Sequence, residues 1–319
     1  MPISRSSRRL LTTAVGLGLL ANGCTLASHD STRSTGPVVL GFINGGTTSF
    51  HRCLQTAVTE TTANNLAKVL TADSHGSKSA ELRNVRYMIA RKVDAIVLLS
   101  VDASALDADI AAARKAETPI SLIAVTPSDD SEILGAAISD LPGMGKLDAQ
   151  WVDDDAAGKP AEAAVVSGDG STSSNLMVGG FTKNLADNVR VVGDERGMFD
   201  RATAKAAAAR LIQAHPDIRY AFVANEDMAF GAREAFDAAG AHSVKIVTVN
   251  GTDQGLAALK DGKFAATVSN SVRDLGALAV THTLSLLRKE EKDKIARIDA
   301  RLVTKANADT APLYCDTNG

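Results

Sequence analysis

The amino-acid sequence predicts an α/β protein with two similar lobes, each built on a doubly wound parallel sheet. Apolar runs of strand length alternate with longer segments of helical periodicity, which is typical of parallel sheets covered by helices on both faces. The same alternation restarts after Asp140, and 319 residues suffice for two domains of about 100 to 150 residues each.

The first half of the chain carries apolar runs that are continuous rather than alternating with polar residues, as expected for strands buried on both faces. The segments between them, such as 79–92 and 104–116, place apolar residues at three- and four-residue spacing and indicate amphipathic helices. Strands are expected at 38–43, 67–72, 93–99, 120–125 and 133–139.

The second half repeats this order. Helices are expected at 201–214, 227–239, 252–260 and 273–290. Strands are expected at 161–167, 189–194, 220–225, 244–250 and 264–270.

The N-terminus has the order of a secretory signal: arginines, a short apolar stretch and small residues before Cys24. Leu20 to Cys24 resembles the lipobox of bacterial lipoproteins, with Ala21 where leucine is usual. We therefore expect a signal peptide at 1–23, a lipid on Cys24 and a flexible tether over 24–37 rich in Ser and Thr. An ordinary signal peptide with an incidental cysteine and a twin-arginine export route both stay open.

Composition excludes several classes of function. With 34 basic and 37 acidic residues the formal charge is −3, so no broad cationic surface is expected for nucleic acid. No phosphate loop, nucleophile elbow or zinc-ligand spacing occurs, so neither a metal nor a cofactor is expected. Cys53 and Cys315 form an even pair in an exported chain, and a disulfide between them is one of two open readings, the other being two unrelated thiols.

Ligands of open parallel sheets bind beyond the carboxyl ends of the strands. The residues that follow the predicted strands are rich in amides and hydroxyls, include two phenylalanines and carry few charges. They include Thr47, Phe50, Asp102, Asn175, Phe199, Asn225, Asn250 and Asn270.

Five segments of the second half carry a recognisable pattern: 199–201, 215–218, 224–232, 250–252 and 261–268. They resemble the ribose-type periplasmic sugar-binding proteins, and the likeness extends more weakly over about 38–303. That family has the type I periplasmic binding protein fold, the Venus-flytrap arrangement of two lobes joined by a three-segment hinge, and it serves importers driven by ATP. The resemblance implies a first lobe of 38–140 with about 272–297 and a second lobe of 141–271 with about 298–319.

The resemblance also implies site residues, with substitutions. The family's rings correspond to Phe50 and Phe199 and one of its amides to Asn225. Asn250 stands where the family has aspartate, and Asn270 where it has glutamine.

Two further substitutions remove charge. Asn175 replaces an arginine, and Ala124-Val125 replaces an Asp-Arg pair. The expected ligand is therefore a small neutral solute such as a sugar or polyol, with Asp102 as either a ligand group or a helix cap and Thr47 as a neighbouring hydroxyl.

The expected function is that of an extracytoplasmic lipoprotein, a monomer that delivers its solute to a permease of an ABC transporter. A ligand-sensing subunit for a membrane signalling protein is the alternative, because the same fold serves both. A repressor would need a DNA-binding segment where the signal stands, and no nucleophile and base converge as an enzyme would require.

Overall fold

The computed structural model describes residues 36–312 and 314–315. The predicted signal peptide, Cys24 and nearly all of the predicted tether lie outside the described residues. Within that part of the chain, no helix is long and apolar enough to cross a membrane.

The first sheet has six strands, all parallel, in the order β11-β5-β4-β3-β1-β2. All residues of its two central strands, β4 and β3, are buried. The strands are β1 (Val39–Asn44), β2 (Lys68–Asp73), β3 (Ala95–Leu99), β4 (Ile120–Ile123), β5 (Gly135–Ser139) and β11 (Ile295–Ile298).

The second sheet also has six strands, in the order β12-β10-β9-β8-β6-β7. Five are parallel, and the edge strand β12 pairs antiparallel with β10. The strands are β6 (Ala161–Ser167), β7 (Val189–Arg196), β8 (Ile218–Val223), β9 (Lys245–Asn250), β10 (Ala266–Ser269) and β12 (Arg301–Thr304).

Helices connect most successive strands, with loops between β4 and β5 and between β11 and β12, and they cover both faces, so the predicted fold class is confirmed. On the first sheet, Val97 of β3 faces one apolar cluster, and its neighbour Leu98 faces another on the opposite side. Each buried side chain of this size contributes about 1.5 to 3 kcal/mol. The helices are α1 (Ser49–Asn64), α2 (Lys78–Ala90), α3 (Leu106–Lys115), α4 (Leu141–Ala156), α5 (Thr172–Thr182), α6 (Arg201–Ala214), α7 (Glu226–Ala238), α8 (Asp253–Lys260) and α9 (Val272–Arg288).

The chain passes between the sheets at three places. It leaves β5 at Ser139 for α4, leaves β10 at Ser269 for α9, and runs from β11 to β12 over residues 298–301. The short strands β11 and β12 were not among the predicted strands, because their residues are half-exposed and include arginines.

The C-terminal tail makes a further passage, which departs from the predicted placement of 298–319 in the second lobe. The Ser269 hydroxyl donates to the carbonyl oxygen of Pro312 at 2.8 Å, and the Val272 amide donates to that of Tyr314 at 3.0 Å. Tyr314 is buried in the apolar cluster of the first lobe. A disulfide then joins Cys315 to Cys53 of α1, with 5.8 Å between the Cα atoms.

Candidate ligand-binding site

The carboxyl ends of both sets of parallel strands carry the sequence-predicted site residues. Parallel strands direct their carboxyl ends to one edge of a sheet, where helices begin and backbone N–H groups are available. These residues form one group on each lobe, and one further residue lies at a crossover.

On the first lobe, Thr47 and Phe50 lie between β1 and the first turn of α1. The buried Asn44 ties these elements together, because its Nδ2 donates to the carbonyl oxygen of His51 at 2.9 Å. The ring of Phe50 is half-buried and meets the His51 ring edge-on, with 5.5 Å between centroids. Thr47 is exposed, and its carbonyl oxygen accepts from the Arg52 guanidinium at 2.7 Å.

Asp102, which follows β3, caps the short 3₁₀ turn Ala103–Ala105. Its Oδ1 accepts from the Ser104 amide at 3.0 Å, the Ser104 hydroxyl at 2.5 Å and Lys78 Nζ at 3.1 Å. These bonds, first those from Ser104, lower the pKa of Asp102 to about 2. The carboxylate therefore caps this turn through Oδ1, which is one of the two roles that the sequence left open.

On the second lobe, Phe199 and Asn175 flank the loop after β6. Phe199 has a φ of 52°, and its ring covers Gly168 so closely that a Cβ there would lie 2.3 Å from the ring. Asn175 is exposed on α5, and its Nδ2 donates to the carbonyl oxygen of Gly170 at 3.0 Å. The loop therefore presents one half-buried ring face and one amide.

Asn225 and Asn250 follow the neighbouring strands β8 and β9, and both are half-buried. Asn225 caps α7, since its Oδ1 accepts from the Met228 amide at 2.8 Å, and its Nδ2 is the group with hydrogens to offer a ligand. Asn250 has a φ of 143°, a positive value that residues other than glycine rarely adopt.

Asn270 lies at the second crossover and joins the two lobes. Its Oδ1 accepts from the hydroxyl of Ser139, the last residue of β5, at 3.1 Å. Its backbone amide donates to the carbonyl oxygen of Asn250 at 3.1 Å. This residue therefore connects the first crossover to the candidate site on the second lobe.

Two buried carboxylates support these loops and were not among the predicted site residues. Glu81 of α2 accepts from the Ser100 hydroxyl and the Val101 amide, both at 2.6 Å. Beside it, burial and the contact with Glu81 raise the pKa of Asp109 to about 8, so that Asp109 is protonated at neutral pH. The second carboxylate is Glu226, which accepts from the amides of the turn after β9.

The candidate site contains neutral hydrogen-bonding groups and rings. Among the described residues, no group of three or more His, Cys, Asp or Glu could hold a metal ion. Four amides can each donate and accept, while the two rings can cover an apolar face. This chemistry suits a small uncharged solute with several hydroxyl groups.

Comparison with known proteins agrees with this fold. The family model described as a periplasmic binding protein domain matches residues 40–291. The chain therefore belongs to the periplasmic binding protein domain family, whose members are binding proteins that work outside the cytoplasm. It is similar to ribose-type members, as its sequence indicated.

Two curated relatives illustrate that similarity. The ribose import binding protein of Bacillus subtilis (strain 168) is 28% identical over 239 residues, which are 75% of this chain and 77% of the relative. A xylitol-binding protein of Mycolicibacterium smegmatis is 28% identical over 309 residues, which are 93% of this chain and 85% of that protein.

A solved structure shows the same fold. The periplasmic binding protein component of the arabinose ABC transporter from Shewanella sp. ANA-3, bound to α- and β-L-arabinofuranose, aligns with a TM-score of 0.79 and 25% identity. The alignment covers 85% of this chain and 93% of the other.

Proposed function

We propose that this protein captures a small neutral sugar or polyol between its two lobes and delivers it to the permease of an ABC importer. The observation that carries the proposal is the grouping of Phe199, Asn225 and Asn250 at one sheet edge, with Asn270 bridging to the first lobe. The ribose, xylitol and arabinose ligands in the names of similar proteins support this class of solute.

The chemistry of recognition follows from the groups available. Neutral hydrogen bonds from asparagine amides contribute about 1 kcal/mol each. An amide can donate to a hydroxyl group through Nδ2 or accept from it through Oδ1. Phe199 and Phe50 are suited to cover the apolar C–H faces of a sugar ring or polyol chain. A ligand with a formal charge would lack an opposite charge among the proposed contact residues.

Asp102 is less suited to this role than the amides. Its Oδ1 already accepts the three hydrogen bonds that form the cap, so only its Oδ2 could accept from a ligand without breaking the cap. We therefore propose Phe50, Asn175, Phe199, Asn225, Asn250 and Asn270 as ligand contacts, with Thr47 at the rim of the first lobe.

Closure of the lobes is the proposed response to the solute. A ligand that contacts both lobes stabilises the closed arrangement by its differential affinity for that arrangement. The crossovers at 139–141, 269–272 and 298–301 are the hinge segments in this proposal.

Export and anchoring complete the proposed function. Removal of residues 1–23 and acylation of Cys24 would hold a monomeric receptor near the membrane by its tether, where a released solute can enter a permease. The lipobox-like residues 20–24 support this step, and no catalytic activity is proposed.

The experiment is titration calorimetry of the mature protein against a panel of pentoses, hexoses, deoxysugars and polyols. We expect at least one member to bind with one-to-one stoichiometry. Asn225→Asp keeps the capping oxygen but replaces the donor Nδ2, and we expect it to weaken binding about tenfold.

The matched control is Asn188→Asp. The Nδ2 of Asn188 donates to the carbonyl oxygen of Lys159 at 2.9 Å, next to the amino end of β6. We expect this control to bind as the wild type does. Absence of binding across the panel would refute the sugar assignment.

A further inference from the structure

A buried carboxylate connects the two central amides of the candidate site. Glu226 follows Asn225 at the start of α7 and is 1% exposed. Its Oε1 accepts from the Gly251 amide at 2.9 Å and the Thr267 hydroxyl at 2.7 Å. Its Oε2 accepts from the Thr252 amide at 2.9 Å and from the Thr252 hydroxyl.

These four donors belong to the turn after β9 and to the strand β10. Gly251 and Thr252 form the turn that follows Asn250 at the end of β9, and Thr267 lies within β10. One side chain thus joins the end of β8, the end of β9 and the strand β10. Asn225 and Asn250 stand at the two ends of this connection.

The packing around Glu226 leaves room for a carboxylate and little else. A Cβ at Gly255 would lie 2.1 Å from the carboxyl carbon of Glu226. Thr252 accepts from the Gly255 amide at 3.0 Å while donating to Glu226, so the same hydroxyl also caps α8. The glycine at 255 is therefore part of the arrangement.

The turn that Glu226 holds is conformationally unusual. Asn250 has a φ of 143° and Gly251 a φ of 80°, and both values lie in the region that most residues avoid. Two consecutive backbone N–H groups, those of Gly251 and Thr252, point at one carboxylate and fix this turn. The direction of the Asn250 side chain depends on the turn.

We infer that Glu226 is a positioning residue, which holds Asn225 and Asn250 in the orientation that binds the solute without contacting the solute itself. The inference rests on the proposed function for its ligand. Each carboxyl oxygen of Glu226 accepts from one backbone N–H and one threonine hydroxyl, and these bonds favour the ionised form although burial raises the pKa of this side chain. A backbone N–H cannot accept, so the NH₂ group of a glutamine would face a donor on either side.

The test compares Glu226→Gln with Asp155→Asn. Asp155 is a second-lobe carboxylate that accepts from Tyr220 Oη at 2.7 Å and Lys245 Nζ at 2.5 Å near the amino ends of their strands. It therefore controls for lost carboxylate bonds away from the site. With the tightest solute of the panel, we expect Glu226→Gln to weaken binding at least about tenfold and Asp155→Asn to leave binding unchanged.

A double-mutant cycle separates positioning from general loosening of the lobe. In an Asn250→Ala background, Glu226 has one amide fewer to position. We therefore expect Glu226→Gln to weaken solute binding by less than about threefold in that background. The inference would be overturned if the affinity loss of the double variant equalled the product of the two single losses. Equal affinities of Glu226→Gln and Asp155→Asn would also overturn it. If Glu226→Gln does not fold, Thr267→Val removes one of the four donors and enters the same cycle.

A measurement without ligand keeps this inference separate from the proposed function. Nitrogen-edited NMR spectra of the free protein report the side-chain amides of Asn225 and Asn250. We expect both to shift in Glu226→Gln and neither in Asp155→Asn, even if no solute of the panel binds. Unchanged signals would overturn the positioning role, whereas a wild type that binds nothing would overturn only the proposed function.

Discussion

Breaking the Cys53–Cys315 disulfide is predicted to destabilise the protein strongly, because the bond closes most of the chain into a loop. The two cysteines are 262 residues apart in sequence. The loop-entropy relation gives about 5.6 kcal/mol for a loop of this length, and measured losses for native disulfides are about 2 to 5 kcal/mol. For a protein of this size, each kcal/mol lowers the melting temperature by roughly 2 to 4 °C, so we expect a decrease of roughly 10 °C.

The assay is thermal unfolding of the wild type with and without dithiothreitol, beside Cys53→Ala/Cys315→Ala. Alanine is chosen because Cys53 is 5% exposed and a serine there would bury a hydroxyl. We expect reduction to lower the unfolding midpoint of the wild type to that of the double variant, which should not respond to dithiothreitol. An unchanged midpoint after complete reduction, verified by thiol titration, would refute the reasoning.

Three other predictions follow from single residues. Burial and Glu81 raise the pKa of Asp109, so its stabilising contribution is present below pH 4 and is lost as the pH rises through about 8. Asp109→Asn should therefore have a higher free energy of unfolding than the wild type at pH 9 but not at pH 5. An equal difference at the two pH values would contradict this. Phe199→Ala should weaken solute binding by more than about 1 kcal/mol in calorimetry and Phe199→Leu by less, whereas wild-type affinity in both would remove the ring from the site. Metabolic labelling with a fatty-acid analogue should mark the wild type and not Cys24→Ser, and label on both would contradict the anchor.

The alternation of strands and helices was readable from the sequence because buried parallel strands are continuous apolar runs. The runs at β1, β3 and β6 were placed within two residues at each end. β11 and β12 were not predicted because most of their residues are exposed or half-exposed and each strand carries arginine. Each of them pairs with a strand that is distant in sequence. The periodicity of a segment carries no information about such partners.

The candidate site was predictable to the extent that strand ends predict it. The amides at 225, 250 and 270 lie where the strands end, but their geometry depends on long-range bonds such as Ser139 to Asn270. Glu226 resembled an ordinary acidic residue in the first turn of a helix. Its role emerges only from the folding of β9 and β10 beside it.

The return of the tail to the first lobe also depends on tertiary structure. Two cysteines permitted a bridge, but spacing along the chain could not show that their Cα atoms approach within 5.8 Å. The hydrogen bonds of the tail to Ser269 and Val272, on either side of the second crossover, were not visible in the sequence.

The central claim is that a neutral solute is held between the lobes by amides and rings at the strand ends. A crystal structure with the tightest solute of the panel tests it most directly. The account predicts that the solute contacts Phe199, Asn225 and Asn250 on the second lobe and at least one residue of the first lobe. A solute bound to one lobe alone, away from these residues, would contradict it.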